Sequence, residues 1–515
     1  MTSPRNVLFI TIDQWRADAL GCAGNTRLST PHLDSLARDG VRFGKHYANA
    51  APCGPSRAVM LTGMYQHNNG AVRNGSPLDP RFTNLALESR KAGYDPALFG
   101  YSDTAADPRT HHPNDPALKT FETVMRGFSP ELHLPELPFP WLAHLRRQGY
   151  EFPLDMDEVY RPAIPTTGQT EDRGPTYAPT RFAAEHTITA FLTDELLDFI
   201  SVRRDRPWFA HAAHIRPHPP FIAPEPYNAL YRAEDMPEPH RAATPELEGA
   251  LHPLVKHCLG VQPLGNFFVT GKGLVKDLSD GDLAQLRATY YGMITEVDDQ
   301  IGRLLGKLRE WGLYDSTLIV VTSDHGEMLG DHWMLGKEGF FDEAFHVPLI
   351  VREPSVDAGA GRGRICTEFT EAVDLMPTML DWIGVSKPRQ CDGRSLLDIC
   401  HGRTVPDWRR EGHWEFDFRN TWTDSAEDAL GLPMDACSLA VIRDDRYKYV
   451  HFAALPHLFF DLTDDPHCLR DRSKDPALSA TMLEYAQRML SWRMLSNARE
   501  LTGIIVGPNG VIDRR

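Results

Sequence analysis

The stretch Ala51-Pro52-Cys53-Gly54-Pro55-Ser56-Arg57-Ala58-Val59-Met60-Leu61-Thr62-Gly63 concentrates reactive types in few positions. Two prolines flank a cysteine and keep its backbone out of a helix interior. Ser56 is suited to cap a helix that starts just after Cys53 and aims its positive end at the side chain. Arg57 adds a fixed cation, so a group at position 53 is placed to meet an anion. A buried structural thiol is the ordinary alternative for an isolated cysteine. Other reactive residues follow apolar runs. Asp13-Gln14 follows residues 6–12, and Asp324-His325-Gly326-Glu327 follows residues 317–323. His218 stands before Pro219-Pro220-Phe221, and Lys337 lies in Gly336-Lys337-Glu338-Gly339. A carboxylate at the end of a central strand sits where open α/β sheets bind ligands, although a strand-end cap explains a single aspartate equally well. A loop histidine on a proline-rich turn is the plain reading of His218.

The elements that must position these residues are legible in the same pattern. Residues 6–12 and 317–323 are continuous apolar runs with β-branched residues, as expected of strands buried on both faces of a parallel sheet. Residues 207–213 read as another core strand. Residues 93–99 read as a short one that delivers Gly100-Tyr101-Ser102-Asp103 to the same sheet edge. Ser29-Thr30-Pro31 starts a helix that turns Leu33, Leu36 and Ala37 inward and stops at Gly40. Helices are also predicted over 182–200 and 283–311, the second with Leu286, Tyr290, Met293, Val297, Ile301 and Leu308 on one face. Asn74-Gly75 marks a turn. Residues 105–180 and 222–280 read as irregular insertions over the site. Beyond a boundary near residue 402, strands at 438–442, 447–451 and 458–461 form a predicted meander that packs with a helix over 477–498.

Cys53-Gly54-Pro55-Ser56-Arg57 with Leu61-Thr62-Gly63 resembles the Cys-x-Pro-Ser-Arg and Leu-Thr-Gly signature of the type I sulfatases, the formylglycine-dependent branch of the alkaline phosphatase superfamily. The segments 30–43, 345–351, 374–378, 392–396 and 459–462, and His218 before Pro-Pro-Phe, extend the resemblance over most of the chain. It implies an alkaline-phosphatase-like α/β fold: a mostly parallel central sheet flanked by helices in a catalytic domain, 1–402, and a smaller α+β subdomain with an antiparallel sheet, 403–515. It implies that a formylglycine-generating enzyme oxidises Cys53 to formylglycine, whose hydrate is the nucleophile. One divalent cation is then expected on Asp13, Asp324, His325 and the oxygens at position 53, with Gln14 either a weak ligand or a neighbour of the ligands. Arg57 and Lys337 offset charge on the equatorial oxygens. His218, alone or with Lys337, protonates the leaving oxygen. The remaining hydroxyl then loses its proton and the adduct collapses.

Some positions depart from the usual family pattern. Gln14 replaces the second of two consecutive aspartates, and His325 stands where Asn or His is found. One anionic ligand fewer and a nitrogen donor favour Mn²⁺, with Ca²⁺ still open. Tyr101 and Asp103 replace the lysine and histidine of Gly-Lys-x-His, so Asp103 is either the base of the last step or a plain loop carboxylate. Tyr101 and Asn74, both expected at the substrate, resemble the phosphonate monoester hydrolases and their cytoplasmic arylsulfatase relatives. Those phosphonate hydrolases, however, typically carry threonine where Asp103 stands. Losing one cation suits a monoanionic ester and disfavours a dianionic phosphate monoester beside Asp103. The predicted activity is sulfate monoester hydrolysis of the arylsulfatase type, with phosphonate monoester or phosphodiester hydrolysis as the close alternative. A metal-binding protein that keeps Cys53 as a thiol is the competing class, and the intact set of Asp13, Arg57, His218, Asp324, His325 and Lys337 speaks against it.

Composition sets the outer limits. A chain of 515 residues with 42% hydrophobic and 24% charged residues is ordinary for a soluble globular protein. A net charge of −16 argues against nucleic acid or an anionic membrane as partner. The first apolar run is short for a signal-peptide core, and no stretch approaches a membrane span. The 8 cysteines are scattered without paired or zinc-like spacing. The expectation is a reduced, cytoplasmic protein acting on a small-molecule ester. The resemblance adds a homodimer or homotetramer, with the tail after Arg499 as a candidate contact.

Overall fold

The computed structural model describes residues 5–163, 173–420, 425–498 and 501–514. Its main sheet is built from β1 (Asn6–Ile12), β2 (Val41–Tyr47), β4 (Pro96–Gly100), β5 (Ser129–His133), β6 (Phe209–His214), β7 (Thr317–Ser323), β8 (Leu349–Arg352) and β9 (Arg364–Glu371), while β3 (Ala50–Ala51) belongs to a second sheet. The spatial order is β5-β4-β6-β1-β7-β8-β2-β9. Pairing is parallel except at β8, which runs antiparallel to β7 and β2. Every residue of β1 and β7 is buried, as their uninterrupted apolar runs require. Register then positions the chemistry. Ile12 is level with His214 on one side and Ser323 on the other, so Asp13, Ile215 and Asp324 leave the sheet side by side.

Side chains alternate between two cores. Leu8, Ile10 and Ile12 face α1 (Pro31–Asp39) and a long helix, Asp280–Glu310, whereas Val7 and Phe9 face α2 (Cys53–Thr62). The long helix begins at Ser279, whose side chain accepts from Asp282 N, and buries the expected face from Leu286 to Leu308.

The second sheet adds β10 (Gly412–Asp417), β11 (Ser438–Arg443), β12 (Tyr447–Phe452) and β13 (Leu458–Asp461), in the order β13-β12-β11-β10-β3. The predicted meander is present; β10 and β3 extend it, with Ala50 and Ala51 level with Glu415 and Phe416. Ala50 and Ala51, separated from Cys53-bearing α2 by Pro52 alone, thus belong to the small sheet. The helix Ser479–Ser496 packs on this side, and the tail forms a hairpin of β14 (Ile504–Gly507) and β15 (Gly510–Asp513).

Other elements differ from expectation. The 105–180 insertion, part of which lies outside the described residues, contains the edge strand β5 and a helix, Phe139–Arg147. Pro130 and Glu131 are exposed in β5, so the strand lacks the apolar signature of its neighbours. The helix expected from 182 starts at Ile188, where Thr187 caps it by accepting from Ala190 N. The 222–280 insertion holds short helices at Pro245–Gly249 and Pro253–Val261. All eight cysteines are free. Among the described residues, no helix is long and apolar enough to cross a membrane.

Candidate active site

α2 starts at Cys53 itself, with Pro52 as its flanking residue and Gly54 and Pro55 in the first turn. A proline there gives up an N–H that has no intrahelical partner anyway. Ser56 is therefore not the cap. It lies inside the helix, and its Oγ donates to the carbonyl of Asp324, which ties the cysteine-bearing turn to the end of β7. At the other end Gly63 adopts φ 68°, and its N–H closes on the Val59 carbonyl. A Cβ at Gly63 would lie 2.7 Å from Cys391 Sγ, which accounts for the glycine of Leu-Thr-Gly.

Asp13, Cys53, Asp324 and His325 converge behind this turn, all buried, with one donor atom from each lying within 4.8 Å of the others. His325 Nδ1 is 3.0 Å from the Gly326 carbonyl, so in the neutral ring this nitrogen carries the hydrogen. Its Nε2 lone pair then faces the centre, 3.2 Å from Cys53 Sγ and 3.4 Å from Asp13 Oδ1. Burial and the neighbouring Lys337 push His325 down to about 3, which keeps the ring neutral. Burial and the charge of Asp13 push Asp324 up to about 6. Asp13 itself is held well below the usual carboxylate range: burial opposes its charge, but His218, Lys337, His325 and Arg57 outweigh it. Two adjoining carboxylates with a bare imidazole nitrogen are a donor set that fits a divalent cation. The thiol does not fit a nucleophile in its own right. Burial and Asp13 push Cys53 well above the ordinary thiol range, so it stays protonated.

Arg57 is buried behind the carboxylates. Its Nε lies 3.1 Å from Asp324 Oδ2, Nη1 3.1 Å from the Tyr101 carbonyl and Nη2 3.3 Å from Asp13 Oδ2. Its charge reaches the centre through the aspartates it pairs with. Lys337 stands on the open side, with Nζ 3.2 Å from Cys53 Sγ and 3.1 Å from Gln14 Oε1. Burial works against its charge, but Cys53, Asp13 and Asp324 hold the ammonium above its ordinary range. Tyr101 OH donates to Asp13 Oδ2 at 2.5 Å. Asn74 accepts from Gly54 N at 2.9 Å, so it orients the turn that carries Cys53.

Asp103 has φ 47° and lies 3.6 Å from Arg57 Nε. Burial pushes its carboxyl up to about 7 against the pull of Arg57. His218 donates from Nδ1 to the Pro219 carbonyl at 2.8 Å, which leaves Nε2 unprotonated in the neutral ring. Burial and Lys337 push it down to about 4. The space in front of these groups has two lobes that share His218, Pro219 and Asn266. One, of about 360 Å³, holds Asp13, Cys53, Tyr101 and Asp103, with Phe121, Met156 and Tyr160 on its walls. The other, of about 330 Å³, holds Gln14 and Lys337, with Arg73, Leu254 and Phe418.

All eleven residues singled out in the sequence therefore lie in or against one centre. Glu122 and Glu327 are among the glutamates that received no role there. Glu122 lines the first lobe, and nothing in its sequence context distinguishes it from a loop carboxylate. Glu327, fully buried, accepts from Gln14 Nε2; its place in Asp324-His325-Gly326-Glu327 was the available signal.

A mostly parallel sheet flanked by helices that gathers carboxylates, an imidazole and a helix-borne cysteine at one edge defines an enzyme of mixed α/β fold with a metal-type centre. The chain belongs to the sulfatase family of the alkaline phosphatase superfamily: the sulfatase profile matches residues 5–385. A profile for the C-terminal part of N-sulphoglucosamine sulphohydrolase matches residues 330–494. The multifunctional alkaline phosphatase superfamily protein PehA of Trinickia caryophylli is 44% identical over 99% of both chains. An arylsulfatase of Clostridium perfringens is 29% identical over 90% of this chain and 88% of its own. Among solved structures, the phosphonate monoester hydrolase of Agrobacterium radiobacter superposes with a TM-score of 0.94 at 45% identity, covering 99% of this chain and all of the other.

Proposed function

We propose that the protein is a metal-dependent hydrolase of monoanionic esters, acting first on phosphonate monoesters and phosphodiesters and also on sulfate monoesters. The order reverses the sequence-based preference. The observation that carries it is the pair of lobes meeting at His218, with Cys53 in one and Lys337 in the other. A sulfate monoester has one organic substituent, whereas phosphonate monoesters and phosphodiesters have two. The likeness to the phosphonate monoester hydrolase of Agrobacterium radiobacter supports the same reading.

In this reading Asp13, Gln14, Asp324 and His325 hold the cation, Mn²⁺ before Ca²⁺, together with the oxygens of a formylglycine derived from Cys53. When bound, the cation and the modified residue supply an ionised hydroxyl as nucleophile. Lys337 balances the anionic charge of the ester. His218 carries a proton to the leaving oxygen, and Asp103 takes the proton whose loss frees the product. Tyr101 and Asn74 orient Asp13 and the Cys53 turn.

Peptide mass spectrometry of the Cys53 fragment, followed by kinetics on 4-nitrophenyl phenylphosphonate, bis(4-nitrophenyl) phosphate, 4-nitrophenyl sulfate and 4-nitrophenyl phosphate, tests the proposal. The expected order of kcat/KM places the two-substituent esters first and the dianionic monoester last. Sulfate turnover a hundredfold above phosphonate turnover would restore the arylsulfatase reading. Quantitatively unmodified Cys53 from a host with the modifying enzyme would remove the nucleophile.

A further inference from the structure

Glu327 lies two residues beyond His325, with no solvent exposure. Its Oε1 accepts from Leu329 N at 2.9 Å and from Gly336 N at 2.6 Å, and its Oε2 accepts from Gln14 Nε2. The chain between these contacts is tightly folded: Leu329, His332 and Trp333 have φ of 50°, 54° and 60°, and Gly330 and Gly336 are also left-handed. Three residues with side chains in that region need support from their surroundings. Gly326 fixes the entrance, since a Cβ there would lie 2.0 Å from the Glu343 carbonyl oxygen. Glu327 spans the loop from inside and joins its two ends, with Lys337 the next residue after Gly336.

We propose that Glu327 is a positioning residue that sets the orientation of the Gln14 amide and, through Gly336, the place of Lys337. The Lys337 ammonium can only donate, so the amide atom it meets at 3.1 Å is Gln14 Oε1, which faces the centre, and the Gln14 NH₂ is left for Glu327 Oε2. The backbone of Gln14 is held separately: its N–H donates to Asp324 Oδ1 at 3.2 Å and its carbonyl accepts from Tyr290 OH at 2.7 Å. Only the side-chain amide is left for Glu327 to orient. Reversed, it would point NH₂ at an ammonium and at a cation site. The inference rests on the metal-dependent hydrolase reading above.

The test compares wild type, Glu327→Gln, Gln14→Glu and the double variant, with Cys53 left unmodified, by Mn²⁺ titration calorimetry and thermal melting. Glu327→Gln keeps an oxygen for Leu329 and Gly336 but turns an NH₂ towards the NH₂ of Gln14. At least tenfold weaker Mn²⁺ binding is expected. In the Gln14→Glu background the same substitution restores a donor opposite an acceptor, so binding should stay equal or tighten. Equal weakening in both backgrounds, or Mn²⁺ affinity of Glu327→Gln within twofold of wild type, would overturn the proposal. Should Glu327→Gln not fold alone, a folded double variant supports the pairing and an unfolded one overturns it. A wild type that neither binds Mn²⁺ nor, once modified, turns over an aryl phosphonate would overturn the hydrolase reading and this inference with it.

Discussion

The guanidinium of Arg57 lies 4.0 Å from the centroid of the Tyr101 ring, whose hydroxyl donates to Asp13 Oδ2 at 2.5 Å. Arg57 itself pairs with Asp13 and Asp324. Where the family pattern commonly carries a lysine, this chain thus has an aromatic plate and a neutral donor, and its arginine charge is spent on the metal-type carboxylates. Arg57 therefore acts on the folded state of the centre before it acts on any substrate.

Replacing Arg57 by methionine keeps the bulk and leaves two buried carboxylates without their cation. Breaking one side of such a buried network costs about 3–5 kcal/mol. The metal-free variant should melt well below wild type, and added Mn²⁺ should recover part of the loss by neutralising the same carboxylates. An unchanged metal-free melting curve would show that Arg57 does not hold Asp13 and Asp324.

Asp103 gives a pH dependence. Its carboxyl is pushed up to about 7, first by burial. A base must be ionised to act, so kcat should rise with pH through about 7, and the lost activity should lie on the acid side. Asp103→Asn should flatten that limb and accumulate a covalent adduct after one turnover, seen as a mass shift on the Cys53 peptide. Full turnover by the asparagine variant with no adduct would make Asp103 a loop carboxylate.

Much of this centre was legible in the sequence because strand ends are. Asp13 and Asp324 follow uninterrupted apolar runs, and parallel register then forces them together. The cysteine motif is equally local. What stayed hidden depends on distant pairing. Ala50 and Ala51 carry no strand signal, and only the register with Glu415 and Phe416 makes them β3. Ser56 reads as a cap until the Asp324 carbonyl claims its hydroxyl. The boundary near 402 is crossed by the same strand and by the bond of His67 Nδ1 to Glu415 Oε2 at 2.8 Å. Denaturant unfolding should accordingly show one transition for both sheets, and limited proteolysis near residue 405 should not release a stable 403–515 fragment. Two separated transitions would make the C-terminal part an independent unit.

The first lobe also predicts a charge preference. Glu122, Glu136 and Asp157 line it, and among the described residues none of them forms an ion pair. An ester arm bearing a carboxylate should lose roughly tenfold in kcat/KM against its neutral isostere, on the order of 1 kcal/mol for partly exposed charges a few ångströms apart. An arm bearing trimethylammonium should gain, and both effects should shrink with added salt. Glu136→Lys should reverse the order. A preference insensitive to both salt and Glu136→Lys would mean that these carboxylates lie outside the substrate's path.

His218 presents the opposite protonation problem to Asp103. Its Nδ1 is committed to the Pro219 carbonyl at 2.8 Å, so only a cationic ring can donate from Nε2. Burial and Lys337 push it down to about 4, which leaves the free enzyme with a bare Nε2 at neutral pH. The anionic ester is the group that can reverse this, since a negative charge in the cavity favours the imidazolium. A proton delivered in that way matters most when the departing oxygen is a strong base. His218→Ala should therefore cost about 10²–10⁴-fold in kcat for a phenyl ester but far less for a 4-nitrophenyl ester, whose phenolate leaves unaided. The slope of log kcat against leaving-group pKa should become steeper in the variant. Equal losses for both esters would assign His218 to binding the anion and leave proton delivery to Lys337.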